Sequence, residues 1–172
     1  MGQLNNAGYI ESRFLSHLKS ALNAEVVLGN VTNMFEALDW LKYTYFFIRF
    51  VRNPIAYKFT LNPSMDRMMQ IEEFLHNQIE KVVLELSRER LLRYDEKNFY
   101  LNSTELGRIT SHFYIQCETM AMFCENLGIM TDNNQVIKNK NDYVNDFQLM
   151  LILAKAKEFE NLKVVFISTK RM

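Results

Sequence analysis

The sequence predicts a mainly α-helical protein in which three helices and a short two-stranded ribbon are followed by further helices. Three observations carry this. Only five Gly and two Pro occur in 172 residues, too few for a turn-rich β sandwich or barrel. Apolar residues recur at steps of three and four along most of the chain, the period of one face of a helix. The exception is one pair of short β-compatible runs, Leu91 to Tyr94 and Phe99 to Leu101.

Ile10 to Leu28 sets Phe14, Leu15, Leu18 and Leu22 on one side, with Arg13, His17 and Lys19 around the rest, so the first helix is amphipathic. Gly29 ends it, supplying the left-handed conformation that closes a helix. Asn33 three residues before Glu36 forms a capping-box pattern, and Ala37, Leu38, Leu41, Tyr45 and Ile48 continue as the stripe of a second helix, Met34 to Arg52. Asn53-Pro54 stops it, because a residue before proline is driven out of the helical region. Asn62-Pro63 reads as a cap with proline in the first turn of the third helix. Its stripe is Met68, Ile71, Leu75, Ile79, Val82 and Leu86, and it ends at Arg88, Glu89 and Arg90.

The two β-compatible runs are separated by Asp95, Glu96, Lys97 and Asn98, a polar group with turn chemistry. Ser103 and Thr104 cap a fourth helix whose stripe runs unbroken through Leu106, Ile109, Phe113, Cys117, Met120, Cys124 and Leu127. Gly107 allows that helix a close approach to its neighbour. Gly128 to Asn141 is Asn-rich and polar and reads as a linker; a fifth helix, Asp142 to Glu160, turns Val144, Phe147, Leu151 and Ala154 inward. Helix, helix, helix, strand, turn, strand is the order of a winged helix. The domain organisation expected is therefore a winged helix with its closing helix over 10–127, a linker over 128–141, and the beginning of a second helical domain over 142–172. A generic helical bundle is the alternative.

The charge balance bears on function. Lys+Arg total 20 and Asp+Glu total 20, a formal net charge of zero, so the basic excess of an autonomous nucleic-acid binder is absent. No glycine-rich phosphate loop ending in Lys-Ser or Lys-Thr occurs, so no nucleotide-hydrolysing site is expected in this chain and no cofactor is assigned to it. The three His are far apart and without zinc-ligand spacing, and no catalytic or metal residues are assigned. Two Cys give no disulfide framework and fit a reduced intracellular setting; Cys117 and Cys124 read as buried apolar positions. Neither a leader pattern nor a membrane-spanning run is expected.

Two clusters are the candidate functional residues. Arg88, Arg90, Arg93, Lys97 and Arg108 gather around the end of the third helix, the ribbon and the turn after it, where a winged helix contacts phosphates. Glu85, Glu89, Asp95 and Glu96 are interleaved with them, so a solvated, ion-paired surface is the competing reading. Tyr43, Phe46, Phe47 and Phe50, together with His112, are candidates for packing against another domain; the aromatic run, which includes Tyr45, is dense enough for base stacking, but its helical spacing reads first as core or interdomain packing.

More specific than the pattern are blocks of residues. Ile10-Glu11-Ser12-Arg13-Phe14-Leu15, Leu22-Asn23-Ala24-Glu25-Val26-Val27-Leu28-Gly29-Asn30-Val31, Asp39-Trp40-Leu41-Lys42-Tyr43-Thr44-Tyr45 and Arg52-Asn53-Pro54 stand in this order. Thr104 to Ile115 and Lys155 to Val164 follow. In sequence and order these blocks resemble the large superfamily 2 helicases of the Ski type. That family includes the spliceosomal small nuclear ribonucleoprotein helicase and the helicase subunit of the activating signal cointegrator complex. There, the corresponding blocks lie behind the second motor domain, in a winged helix and the start of a helical ratchet.

The resemblance implies a non-catalytic piece of an ATP-dependent unwinding machine. Its implied partners are the motor and ratchet domains of one parent chain, RNA or DNA, and a ribonucleoprotein complex, without a membrane. ATP and magnesium are implied for the motor domains alone, and the implied location is intracellular and nuclear. A stand-alone winged helix that binds nucleic acid or protein is the alternative. Two departures stand out: Val165 to Met172 differ from the Arg and paired acidic residues that continue the family, and the Pro54 to Pro63 link is shorter.

Overall fold

The computed structural model describes residues 10–127 and 145–162. They belong to two compact units, the first ending at Phe113 and the second starting at Tyr114, so the division falls earlier than the boundary expected at 127. The linker expected over 128–141 lies outside the described residues.

The first unit starts with a 3-10 turn, Phe14–His17, that leads into α1 (Leu18–Leu28). Gly29 closes α1 with φ +78, as the sequence requires. α2 (Met34–Lys42) opens on Asn33, whose side chain accepts from the Glu36 N–H at 2.9 Å. The reciprocal half of the capping box shifts by one residue. The Glu36 carboxylate accepts from the Thr32 N–H (2.7 Å) and hydroxyl (2.8 Å), and these bonds hold its carboxyl below the usual range.

The helix expected over Met34 to Arg52 is two helices. α2 stops at Lys42 and α3 (Tyr45–Arg52) starts after Thr44, whose hydroxyl donates to the Leu41 carbonyl at 2.7 Å and accepts from the Phe47 N–H at 3.3 Å. A threonine able to serve both helix ends competes with continuation of the helix. Pro54 ends α3 and opens a second 3-10 turn, Pro54–Tyr57. α4 (Arg67–Arg88) begins later than Asn62-Pro63, on an Asp66 cap that accepts from the Met69 N–H at 2.9 Å. Met68 is consequently exposed, and Val83 takes the core position expected for Val82, beside Ile71, Leu75, Ile79 and Leu86.

β1 (Leu92–Asp95) and β2 (Tyr100–Ser103) pair antiparallel, with Leu92 opposite Ser103 and Tyr94 opposite Leu101. The α1–α2 connection extends this ribbon: Leu101 N–H donates to the Thr32 carbonyl at 2.7 Å and Met34 N–H to the Phe99 carbonyl at 3.0 Å. Thr104, not Ser103, caps α5 (Glu105–His112), accepting from the Gly107 N–H at 3.0 Å. At Gly107 the backbones nearly touch. A Cβ there would sit 2.0 Å from the Leu91 carbonyl oxygen and 2.9 Å from Asn23 Oδ1.

The unbroken helix expected from Thr104 to Leu127 is also two helices. Tyr114 takes a left-handed φ of +55, and α6 (Cys117–Asn126) begins afresh in the second unit. Its N-cap, Gln116, offers no side-chain cap. Glu158 supplies one from a distance, accepting from the Gln116 N–H and the Thr119 hydroxyl, each at 2.7 Å. Cys117 and Cys124 are buried, as expected, and neither is in a disulfide.

α7 (Asp146–Ala154) is shorter than the helix expected over Asp142 to Glu160. Its inward positions are corrected: Phe147 is 70% exposed, and Leu151 and Ala154 are exposed, while Val144 lies outside the described residues. The helix is apolar on nearly every side, so the spacing never distinguished an inner face. A 3-10 turn, Lys157–Phe159, follows, and among the described residues no helix is long and apolar enough to cross a membrane.

Two outcomes are expected. Gly107→Ala destabilises the first unit by about 2–3 kcal/mol in urea unfolding, because the Leu91 backbone carbonyl cannot yield and the Asn23 side chain that also crowds the site is bonded to Gly107. For Glu158, burial is the largest influence and raises its pKa, but the bonds from Gln116 and Thr119 outweigh it and leave it below the ordinary 4.5. A carboxyl depressed on folding stabilises above its unfolded pKa, so this contribution is lost as pH falls below 4.5. Melting of the second unit against pH shows the loss, and Glu158→Gln flattens that part of the curve.

Candidate nucleic-acid interface

The basic residues of the ribbon do not merge into one surface. In β1 the side chains alternate, so Leu92 and Tyr94 face the core while Arg93 and Asp95 share the outer face with Tyr100 and Asn102 of β2. Arg93 therefore has an acidic neighbour on its own face. Asp95 builds the turn, accepting from the Lys97 N–H at 3.0 Å and the Asn98 amide at 2.7 Å; these bonds, the Asn98 bond foremost, keep its carboxyl ionised below the usual range. Lys97 is exposed at the tip.

Arg90 is half-buried at the base of the ribbon with φ +60, and its carbonyl accepts from the Thr104 hydroxyl. Arg88 is exposed at the last turn of α4, and Arg108 on α5 lies 3.9 Å from Glu105 and donates to the Ser103 hydroxyl at 3.3 Å. Acidic groups hold the spaces between them. Glu89 accepts Lys19 at 2.6 Å, with Glu85 3.8 Å from the same ammonium. Tyr94 is pushed above its ordinary pKa by burial first, and then by the negative charges of Glu80, Glu96 and Asp95. The local field at the ribbon is thus anionic as well as cationic.

The aromatic candidates divide. Phe46 and Phe50 are core residues of the first unit, fully buried in a cluster with Phe14, Tyr57, Phe59 and Phe74. Their rings stack at 5.5 Å, and Phe50 meets Phe74 at 4.7 Å. The aromatic density of α3 is satisfied within its own unit. Tyr43 is 90% exposed between α2 and α3, Phe47 is half-buried, and His112 is exposed with its ring 5.0 Å from Phe113.

The sequence reading missed a polar cluster at the buried face of α3, where Arg49 sits beside Phe46 and Phe50. Glu11 accepts two bonds from Arg49, at 2.8 and 3.3 Å, one from Asn53 at 3.1 Å and one from the Tyr57 hydroxyl at 3.1 Å. Tyr57 in turn accepts from the Ser12 N–H, and Tyr45 donates to the Ile10 carbonyl. The segment before α1 is therefore strapped to α3. Arg49 chiefly, against some desolvation, holds the Glu11 carboxyl below its ordinary value, and Glu11 raises Arg49 reciprocally. The signal was present: Arg49 is the one charge inside Tyr45 to Val51, and a charge in an apolar run needs a partner.

Residues 11–96 match the family model described as Winged Helix-turn-helix domain, half of the chain. The chain belongs to this family. The winged helix is followed by a second match, residues 103–165, to the Sec63 Brl domain. Among relatives, Activating signal cointegrator 1 complex subunit 3 of Dictyostelium discoideum is 40% identical over 155 residues, 89% of this chain and 6% of the relative. The protein of that name from Homo sapiens is 36% identical over 159 residues, 90% of this chain and 6% of its own. A DExH-box ATP-dependent RNA helicase of Arabidopsis thaliana is 36% identical over 160 residues, again 90% and 6%. The chain thus spans about 6% of the length of these relatives.

A winged helix with acids between its cations neutralises few phosphates. Anisotropy with labelled RNA should give weak binding, with a slope of log K against log salt no steeper than about −2, the value for some two or three neutralised phosphates.

Proposed function

We propose that this chain is the winged-helix and ratchet-opening segment of an ATP-dependent RNA helicase, a non-catalytic bridge that holds the helical ratchet against the motor. The observation that carries this reading is the order of two family matches, winged helix over 11–96 and Sec63 Brl over 103–165, within one stretch aligned over 90% of the chain to an ATP-dependent RNA helicase. The interleaved charges of the ribbon support a bridge over a groove-reading domain, since a reader of nucleic acid needs an uninterrupted cationic face. In this reading ATP and magnesium bind in motor domains of the parent, because this sequence has no glycine loop to cradle phosphates. The partners are those motor and ratchet domains and the RNA or DNA strand between them, in a nuclear ribonucleoprotein setting.

Two measurements test it. The 172-residue chain, given ATP, magnesium and RNA, should show no turnover above buffer. In the longer helicase, deleting the stretch equivalent to 10–162 should lower strand separation at least about tenfold more than it lowers ATP hydrolysis, the signature of lost coupling. Turnover by the chain, or parallel losses of both activities, would overturn the proposal.

A further inference from the structure

Beside the Glu11 strap lies an open depression lined by Glu11, Arg49, Arg52 and Asn53. Its charges do not cancel. Arg49 is buried and spends its guanidinium on Glu11, whereas Arg52 is exposed and makes no hydrogen bond or ion pair among the described residues. Residues 1–9, which run into the strap, contain no Asp or Glu that could neutralise it. One net positive charge is therefore left beside two donors, the Arg52 guanidinium and the Asn53 amide.

The surface around the depression is apolar. Ile48 lies one helical turn before Arg52, Tyr45 lies on the same face, and Ile10 is held beside Tyr45 by the bond from its hydroxyl. Ile55 follows Asn53 and Pro54 in the next turn. All four are exposed, Ile10 by 79% and Ile55 by 73%. An arginine among exposed isoleucines and a tyrosine has the composition of a protein-binding hot spot. A nucleic-acid backbone would find one unneutralised cation there and a rim that offers phosphates nothing.

We propose that Arg52 is the anchor of a protein-docking site, and that it takes a partner segment in which a single Asp or Glu is flanked by aliphatic residues. The carboxylate pairs with the Arg52 guanidinium and Asn53 amide, and the flanking side chains cover Ile48 and Ile55. This site lies on the first unit alone and does not depend on the helicase reading.

The test selects a displayed library of random dodecapeptides on the 172-residue chain. The expected consensus is one acidic residue beside Leu, Ile or Val, with binding weakened at least about tenfold by Arg52→Glu and by exchange of the peptide's acid for its amide. Arg52 is exposed and structurally unengaged, so this variant should fold, and its unchanged circular dichroism and melting point check that. An Arg88→Glu control should bind the same peptides as the original chain. No enrichment, a consensus without an acid, or peptides that bind the Arg52→Glu chain equally would overturn the site. So would a uridine dodecamer that displaces the peptides with a steep salt dependence, which would mark the depression as a phosphate contact.

Discussion

The first unit depends on one close crossing, where α5 passes over the base of the ribbon at Gly107. The Leu91 carbonyl lies there without room for a side chain, and it accepts the Thr104 hydroxyl at 2.8 Å as α5 starts. From the other side, the buried Asn23 of α1 donates its amide to the Gly107 carbonyl at 3.0 Å. Three elements distant in sequence are thereby fixed at one point: α1, the turn from α4 into β1, and α5. A buried amide N–H is costly to leave unpaired, so this bond specifies the crossing as well as permitting it, while the Asn23 Oδ1 has no partner among the described residues. The absent Cβ removes the steric obstacle, and the Asn23 bond chooses the register.

That arrangement was half legible in the sequence. Gly107 just inside a Thr-capped helix announced a close approach, because glycine in a helix interior costs stability unless proximity requires it. Asn23 gave no such notice, since a lone polar residue in an amphipathic helix reads equally well as solvent-facing. The same contrast holds elsewhere. Gly29 and Asn53-Pro54 ended helices where their backbone chemistry dictates. Thr44 and Tyr114 broke helices inside unbroken apolar stripes, where spacing on either side stayed in phase. Periodicity registers which side faces the core and is blind to a break that preserves the side. The restart at α6 is set by Glu158, a carboxylate 42 residues from the Gln116 N–H that it accepts, and no local rule reaches that far.

The aromatic run on α3 illustrates how composition misleads about covering. Five aromatic residues between Tyr43 and Phe50 called for more apolar surroundings than one small helix pair provides. The fold supplies them by bringing Tyr57 at the end of the 3-10 turn, Phe59 just after it and Phe74 of α4 onto the buried side, with Phe14 from before α1. Ring contacts of this kind add to the area term, so the cluster is a large part of what closes the unit. What remains outside is narrower than the sequence suggested, and it lies on the opposite side of α3.

The buried face of α3 thus does two jobs. Phe46 and Phe50 bind it to the core, and Arg49 and Asn53 bind the incoming chain to it through Glu11. Since the strap takes four bonds to a single carboxylate, residues 10–13 move with α3 as one body. The strap therefore fixes Ile10 to Arg13 against α3, while acidic side chains stand among the cations of the ribbon. A rigid strap and a ribbon of mixed charge fit the proposed bridging role better than that of an independent reader of nucleic acid, which needs an uninterrupted cationic face.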